Sequence, residues 1–239
     1  MRVDPSGAAY VLTLEPGAGA PTTPGGFQPS SAGGDDFLIA KFDPSGTMAF
    51  CTYLGGSDDE VMDTHSLALG PGGVPIVAAG SKSSSYPVTD GTAHIGASDV
   101  VVSVLSTDGA SLLRSTRFGG TGGEAGEGVG VDADGNIYVT GFTNSPALPV
   151  TAGALSPGSS GALEGFLAVL SADLTTRHYL SFDGLRSEYG NRSSTVLPDG
   201  RWAVVGAVWQ LNPFPATPGL DGQINGLHAA FFRLLTPSP

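Results

Sequence analysis

Carboxylates at regular spacing are the residues of this chain with the clearest capacity for chemistry. Asp58, Asp59 and Glu60 form one cluster, while Glu124 with Glu127, and Asp183 with Glu188, occupy comparable places further along. A hard cation such as Ca²⁺ takes six to eight oxygens from carboxylates and carbonyls on a compact loop. Only the string SDDE at 57–60 offers enough carboxylates locally, which makes Asp58, Asp59 and Glu60 the candidate metal ligands and calcium the one candidate cofactor. The string lacks the D-x-[DN]-x-[DN]-G order of an EF-hand loop. Because acidic residues recur here at a fixed period, the plainer reading is adopted: they accept hydrogen bonds from turn N–H groups. The same reading covers Asp36, Asp99 and Glu164, whose fourth counterpart is taken to be His228.

Other chemistry finds little support. His65, His94, His178 and His228 show no zinc-ligand spacing. No G-x-S-x-G elbow supports a serine nucleophile. The stretch GGTGGEAGEGVG at 119–130 lacks the G-K-[ST] ending of a phosphate loop. Cys51 is the only cysteine, so no intrachain disulfide forms, and its strand-like setting MAFCTYL suits a buried thiol. Both tryptophans and a phenylalanine lie close together in RWAVVGAVWQLNPFP, so Trp202, Trp209 and Phe214 are the candidate ligand-binding residues, aromatic faces being good stacking surfaces. The competing assignment puts Trp202 in a sheet core and Trp209 between sheets.

The bulk composition narrows the class. Net charge is −12 with only two lysines, Lys41 and Lys82. Nucleic acid requires a basic stripe, and none is present. No apolar run reaches the 18 residues of a membrane span. Gly (37) and Pro (18) are abundant, yet 40% of residues are hydrophobic and 13% charged, a balance that buries a core. Glycine and proline then serve as turn residues between many short strands.

Those strands come in repeats. VDPSGAAYVLT from Val3, LGPGGVPIVAAG from Leu69, VDADGNIYVTG from Val131 and VLPDGRWAVVG from Val196 share glycines 7, 73, 135 and 200, spaced by 66, 62 and 65 residues. DFLIAKFD, DVVVSVLS, EGFLAVLS and HAAFFRLL follow, from Asp36, Asp99, Glu164 and His228. Each period of roughly 64 residues reads as two hairpins, hence four short strands, with an irregular Pro/Ser/Gly-rich loop between the hairpins. These loops, at 18–34, 81–98, 143–163 and 210–227, fall at one place in the repeat and are expected to gather on one face. No segment carries a 3.6-residue apolar stripe of helical length, so helix is expected to be minimal.

FLIAKFDPSGTMAFCTYLGGSDDE and VDADGNIYVTGFTNSPALPVTAGAL resemble the bacterial SBBP-type β-propeller repeat, through the GG after the fourth strand, the D-x-x-G-N-x-Y-V-T-G-x-T core and the segments TTPGGFQ and VTAGAL. The resemblance covers nearly the whole chain and weakens in the fourth repeat. It implies an all-β propeller and a secreted or cell-surface bacterial setting, and it brings no catalytic residues. We expect one domain over 1–239, with repeats of about 1–60, 61–124, 125–188 and 189–239, the first and last incomplete. Three architectures fit: a closed four-bladed ring, half of an eight-bladed dimer, or an arc of a larger propeller. The N-terminal residues carry no signal-peptide apolar region and begin inside a repeat, so upstream sequence is expected.

The functional expectation is a non-enzymatic extracellular module that binds a protein or glycan on its loop face, with self-association to complete the propeller. Two alternatives are carried: a hydrolase or lyase with its site at the tunnel mouth, marked by buried carboxylates or a His–carboxylate pair facing that mouth, and a calcium-stabilised adhesion module.

Overall fold

The structure is a computed structural model that describes residues 1–17, 19–159, 161–186, 190–209 and 228–236. Four antiparallel sheets follow one another along the chain. Sheet one is β1 (Arg2–Val3), β2 (Ala9–Pro16), β3 (Asp35–Phe42) and β4 (Met48–Leu54), neighbours in that order. In sheet two, β5 (Glu60–Val61) and β6 (Leu67–Leu69) both pair with β7 (Pro75–Ser81), followed by β8 (Asp99–Leu105) and β9 (Leu112–Phe118). Sheet three is β10 (Glu124–Val131), β11 (Ile137–Thr143), β12 (Glu164–Leu170) and β13 (Arg177–Arg186). Sheet four contains β14 (Ser193–Val196), β15 (Trp202–Trp209) and β16 (His228–Leu235). Helix is confined, among the described residues, to one 3₁₀ turn at Pro71–Gly73. No strand pairing joins sheet four to sheet one among those residues.

The hairpin turns explain the conserved spacing of the glycines. Gly7, Gly73, Gly135 and Gly200 all have φ between 78° and 88°, a region that side chains with a Cβ rarely enter. An aspartate three residues earlier pins such a turn: Asp4 Oδ1 accepts from the N–H groups of Ser6 and Ala8, and Asp132 Oδ1 from those of Asp134 and Asn136. The turn between third and fourth strands carries Gly46 and Gly109, also at positive φ. In sheet three the same place holds Leu174 at φ 62°.

Hydrophobic clusters lie between successive sheets rather than within one. Tyr10, Phe37 and Ile39 of sheet one meet Val77 and Val101 of sheet two. Val100, Val102 and Val104 meet Val139, Phe166 and Ala168 of sheet three. Tyr138, Leu167 and Val169 meet Trp202, Val204 and Phe231 of sheet four. A sheet buried on both faces needs apolar residues on both, hence the unbroken run DVVVSVL rather than an alternating strand. One alignment is corrected here. Gly206 pairs with Phe231 as Gly141 pairs with Phe166, so the residue equivalent to Glu164 is Ala229, one place past His228.

Candidate functional site

Strand order fixes which loops share a face. Strands alternate in direction within each sheet, so the loops 17–34, 82–98 and 144–163, between second and third strands, emerge at the same end as the connections from each fourth strand to the next sheet. The contacts agree with this. Gly33 sits so close to Ser57 that an added Cβ would lie 2.3 Å from its carbonyl carbon, and Ala97 N donates to Gly122 O. The fourth loop, 210–227, lies outside the described residues.

At this end the first two inter-sheet connections are each held by a buried acid. Glu60 Oε1 accepts from Ser81 Oγ at 2.8 Å and Oε2 from Gly56 N at 3.2 Å. Glu124 repeats the arrangement, with Thr143 Oγ1 (2.7 Å) and Ser145 Oγ on one oxygen and Gly120 N (2.7 Å) on the other. Asp36 and Asp99, at the start of the third strands of sheets one and two, face these acids. A Cβ on Gly55 would lie 1.9 Å from Asp36 Oδ1 and 2.5 Å from Glu60 Oε2; on Gly119, 2.5 Å from Asp99 Oδ1 and 2.6 Å from Glu124 Oε2. The paired glycines are therefore required by close approach and not by a special φ. Burial and a hydrogen bond to Asp36 push the Glu60 carboxyl up to about 8. A protonated Glu60 supplies the donor for Asp36 Oδ1, which otherwise has no partner among the described residues. In sheet three the pairing of Phe166 with Phe182 places Gly184 where the first glycine stands, and Asp183, in the place of Phe118, is itself buried.

These positions settle where the proposed metal ligands point. Glu60 turns inward. Asp59 accepts from Lys82 Nζ at 3.1 Å, and Asp58 is exposed, its Oδ1 accepting from Asp59 N. Among the described residues no group of three or more His, Cys, Asp or Glu is arranged to hold a metal ion. The aromatic candidates separate too. Trp202 is 1% exposed and packs edge-on against Tyr138, with ring centroids 5.2 Å apart, so no ligand reaches its face. The reason is register: Trp202 occupies the place that Ile137 takes in sheet three, facing the preceding sheet. Trp209 ends β15, paired with His228; its side chain and Phe214 lie outside the described residues.

A different group, missed in the sequence, lies on the axis between the sheets. β1, β6, β10 and β14, the first strands of their sheets, line a cleft of about 460 Å³ whose walls include Arg2, His65, Leu69, Val129, Val131 and Ser194. A parallel bridge from His65 to Gly128 aligns two of these strands. At the loop-side end of the cleft, Arg192 Nη1 donates to Asp63 Oδ2 at 2.7 Å and to Glu127 Oε1 at 3.1 Å. The residues come from three sheets. Glu127 is buried, and its Oε2 has no partner among the described residues. Desolvation pushes its carboxyl up to about 7 against the pull of Arg192.

His65, Glu127 and Arg192 each stand eight residues before their turn glycine, Gly73, Gly135 and Gly200. A position that varies among three charged or titratable types within so repetitive a frame is not serving the frame. That spacing was the available signal in the sequence: recurrent residues mark the frame, and this group is marked by failing to recur.

The matched segment of the chain runs from β9 through β11 and holds Gly119, Gly120, Glu124, Thr143 and Ser145. Residues 114–146 match the family model of the SBBP β-propeller repeat. The SBBP match thus spans the GG connection with its buried acid, together with the first hairpin of sheet three. It includes Glu127 but neither Asp63 nor Arg192. No curated protein matches the chain.

Proposed function

We propose that the four sheets are successive blades of a propeller module, that it acts at a bacterial surface or outside the cell, and that it binds a glycan or protein group without transforming it. The axial group of Asp63, Glu127 and Arg192, beside His65, carries this reading: it breaks the repeat at the end where the loops gather. Arg2 lines the cleft and Arg192 stands at its loop-side end, where Asp63 and Glu127 offset it, so the site carries little net charge. A balanced polar lining with apolar walls suits a neutral, hydroxyl-rich group better than an ion. The volume lies within the range of ordinary small-ligand sites.

The test is a screen of the chain and its Arg192→Ala variant against an array of neutral and acidic polysaccharides. Retention of neutral glycans by the parent and its loss in the variant supports the reading. Equal retention by both would remove the axial group from it.

One observation favours a second reading, glycoside hydrolysis. Asp63 and Glu127 share Arg192 Nη1, so their oxygens stand within about 6 Å of each other, near the about 5–5.5 Å separation of retaining glycosidases. Glu127 holds a proton near neutrality, as a general acid must. Arg192 lies between the two carboxyls, however, where a scissile bond would sit, and this favours binding. Release of reducing ends from any retained glycan, abolished by Glu127→Gln, would establish hydrolysis. The calcium-stabilised adhesion reading keeps Asp58, Asp59 and Glu60 as its ligands and requires EDTA to lower the melting temperature.

A further inference from the structure

The contacts between blades are directional. Each buried interface joins the trailing face of one blade to the leading face of the next. On blade two the trailing face shows Ala78, Val102 and Val104, each at 0% exposure beneath blade three. On blade three the same positions are Thr140, Leu167 and Val169, at 0, 1 and 5%, beneath blade four. On blade four they are Val205, Phe232 and Leu234, at 40, 51 and 39%. Val205 pairs with Phe232 and Ala203 with Leu234, so the three project from one side of the sheet.

At the other end of the chain the leading face of blade one is the counterpart. Val11 and Leu38 hold the places of Val77 and Val101, which are fully buried against blade one, yet both are partly exposed. One chain therefore carries one uncovered trailing face and one uncovered leading face. They do not seal each other within the chain, because Val205, Phe232 and Leu234 stay open with blade one present. Contiguous exposed apolar surface of this kind marks an interaction site.

We propose that the uncovered face of blade four is occupied by blade one of a second copy of this chain, and the reverse, so that two chains close one ring. The occupant follows from the fold's own rule: a trailing face is covered everywhere else by a leading face of the same repeat. Two copies related by a twofold satisfy both uncovered faces at once and leave none over.

Light scattering on the chain tests this. The expected mass is twice the 24.0 kDa of one chain. Phe232→Glu and Leu38→Glu should each halve it, with unchanged far-ultraviolet circular dichroism. Mixing the two variants in equal amounts should restore a dimer, because one interface in the mixed pair then has both faces intact. A parent chain that stays monomeric at all concentrations would overturn the proposal. So would a dimer that survives both substitutions, or two folded variants that fail to associate when mixed. Should one variant not fold, Leu234→Lys replaces Phe232→Glu on the same face.

Discussion

At the scale of single residues, two side chains are held in states they would not choose alone. Leu174 adopts φ 62° where its counterparts Gly46 and Gly109 are glycines, and it is buried in the cluster between sheets two and three. A left-handed backbone costs a non-glycine residue roughly 1–2 kcal/mol, while burying a leucine side chain contributes about 1.5–3 kcal/mol. Leu174→Ala keeps the strain and loses the burial; Leu174→Gly loses both. Urea unfolding should therefore rank the parent above Leu174→Gly, and Leu174→Gly above Leu174→Ala, the last gap being about 1 kcal/mol. The reverse order of the two variants would show that the turn is not strained. Glu60 is the second case. Its folded carboxyl titrates near 8 against an ordinary 4.5, so above pH 4.5 the unfolded chain releases a proton that the folded chain retains. The stability this supplies is complete below about 4.5, declines as pH rises, and is gone past 8. The melting temperature should fall from pH 5 to pH 8, and Glu60→Gln should flatten that slope whatever its effect on absolute stability. An unchanged slope in the variant would mean that Glu60 is ionised when folded.

At the scale of elements, the GG connection is the most demanding local structure. Gly119→Ala drives a methyl into Asp99 and Glu124 at about 2.5 Å, both buried and both accepting hydrogen bonds from the backbone of the loops beside them. Overpacking of this kind costs about 1–3 kcal/mol, and the denaturation midpoint should shift accordingly. Gly158→Ala is the control, since nothing lies within 4 Å of a Cβ there and its φ is not positive; it should change stability by less than about 0.5 kcal/mol. Equal effects of the two would refute the account of the paired glycines. The turns and the connection were legible in the sequence because each is a local constraint repeated several times: a positive-φ glycine with an aspartate three residues before it, a glycine pair with an acid following. Trp202 was legible as one of two things, a stacking surface or a sheet-core residue, and the second holds; the choice depends on which face of β15 meets sheet three. The equivalence of His228 with Glu164 failed for a related reason. In a short apolar string such as HAAFFRLL a one-residue slip changes nothing locally, and only pairing with β15 fixes the register.

At the scale of the whole molecule, recurrence and its failure carry different information. Recurrent acids hold one sheet to the next, and they were expected from spacing alone. The axial group draws Asp63, Glu127 and Arg192 from three sheets, and no linear window contains them. Among the described residues Arg192 is the one cation paired with both carboxyls, so its removal isolates Glu127 in a buried site. Breaking such a pair exposes the desolvation cost of the remaining charge; with Arg192 about half exposed, we expect a loss of about 1–2 kcal/mol for Arg192→Met at pH 8.5. The loss must depend on pH. Below about 7 Glu127 is protonated, carries no charge to be compensated, and the same substitution should cost much less at pH 5.5. Adding Glu127→Gln to Arg192→Met should remove the difference between the two pH values, because no ionisable carboxyl then remains in the buried position. If Arg192→Met instead costs the same at both, the arginine acts through packing of its stem. The three sheets would then meet at the axis through apolar contact alone, and the case for a polar binding site there would lose its main support.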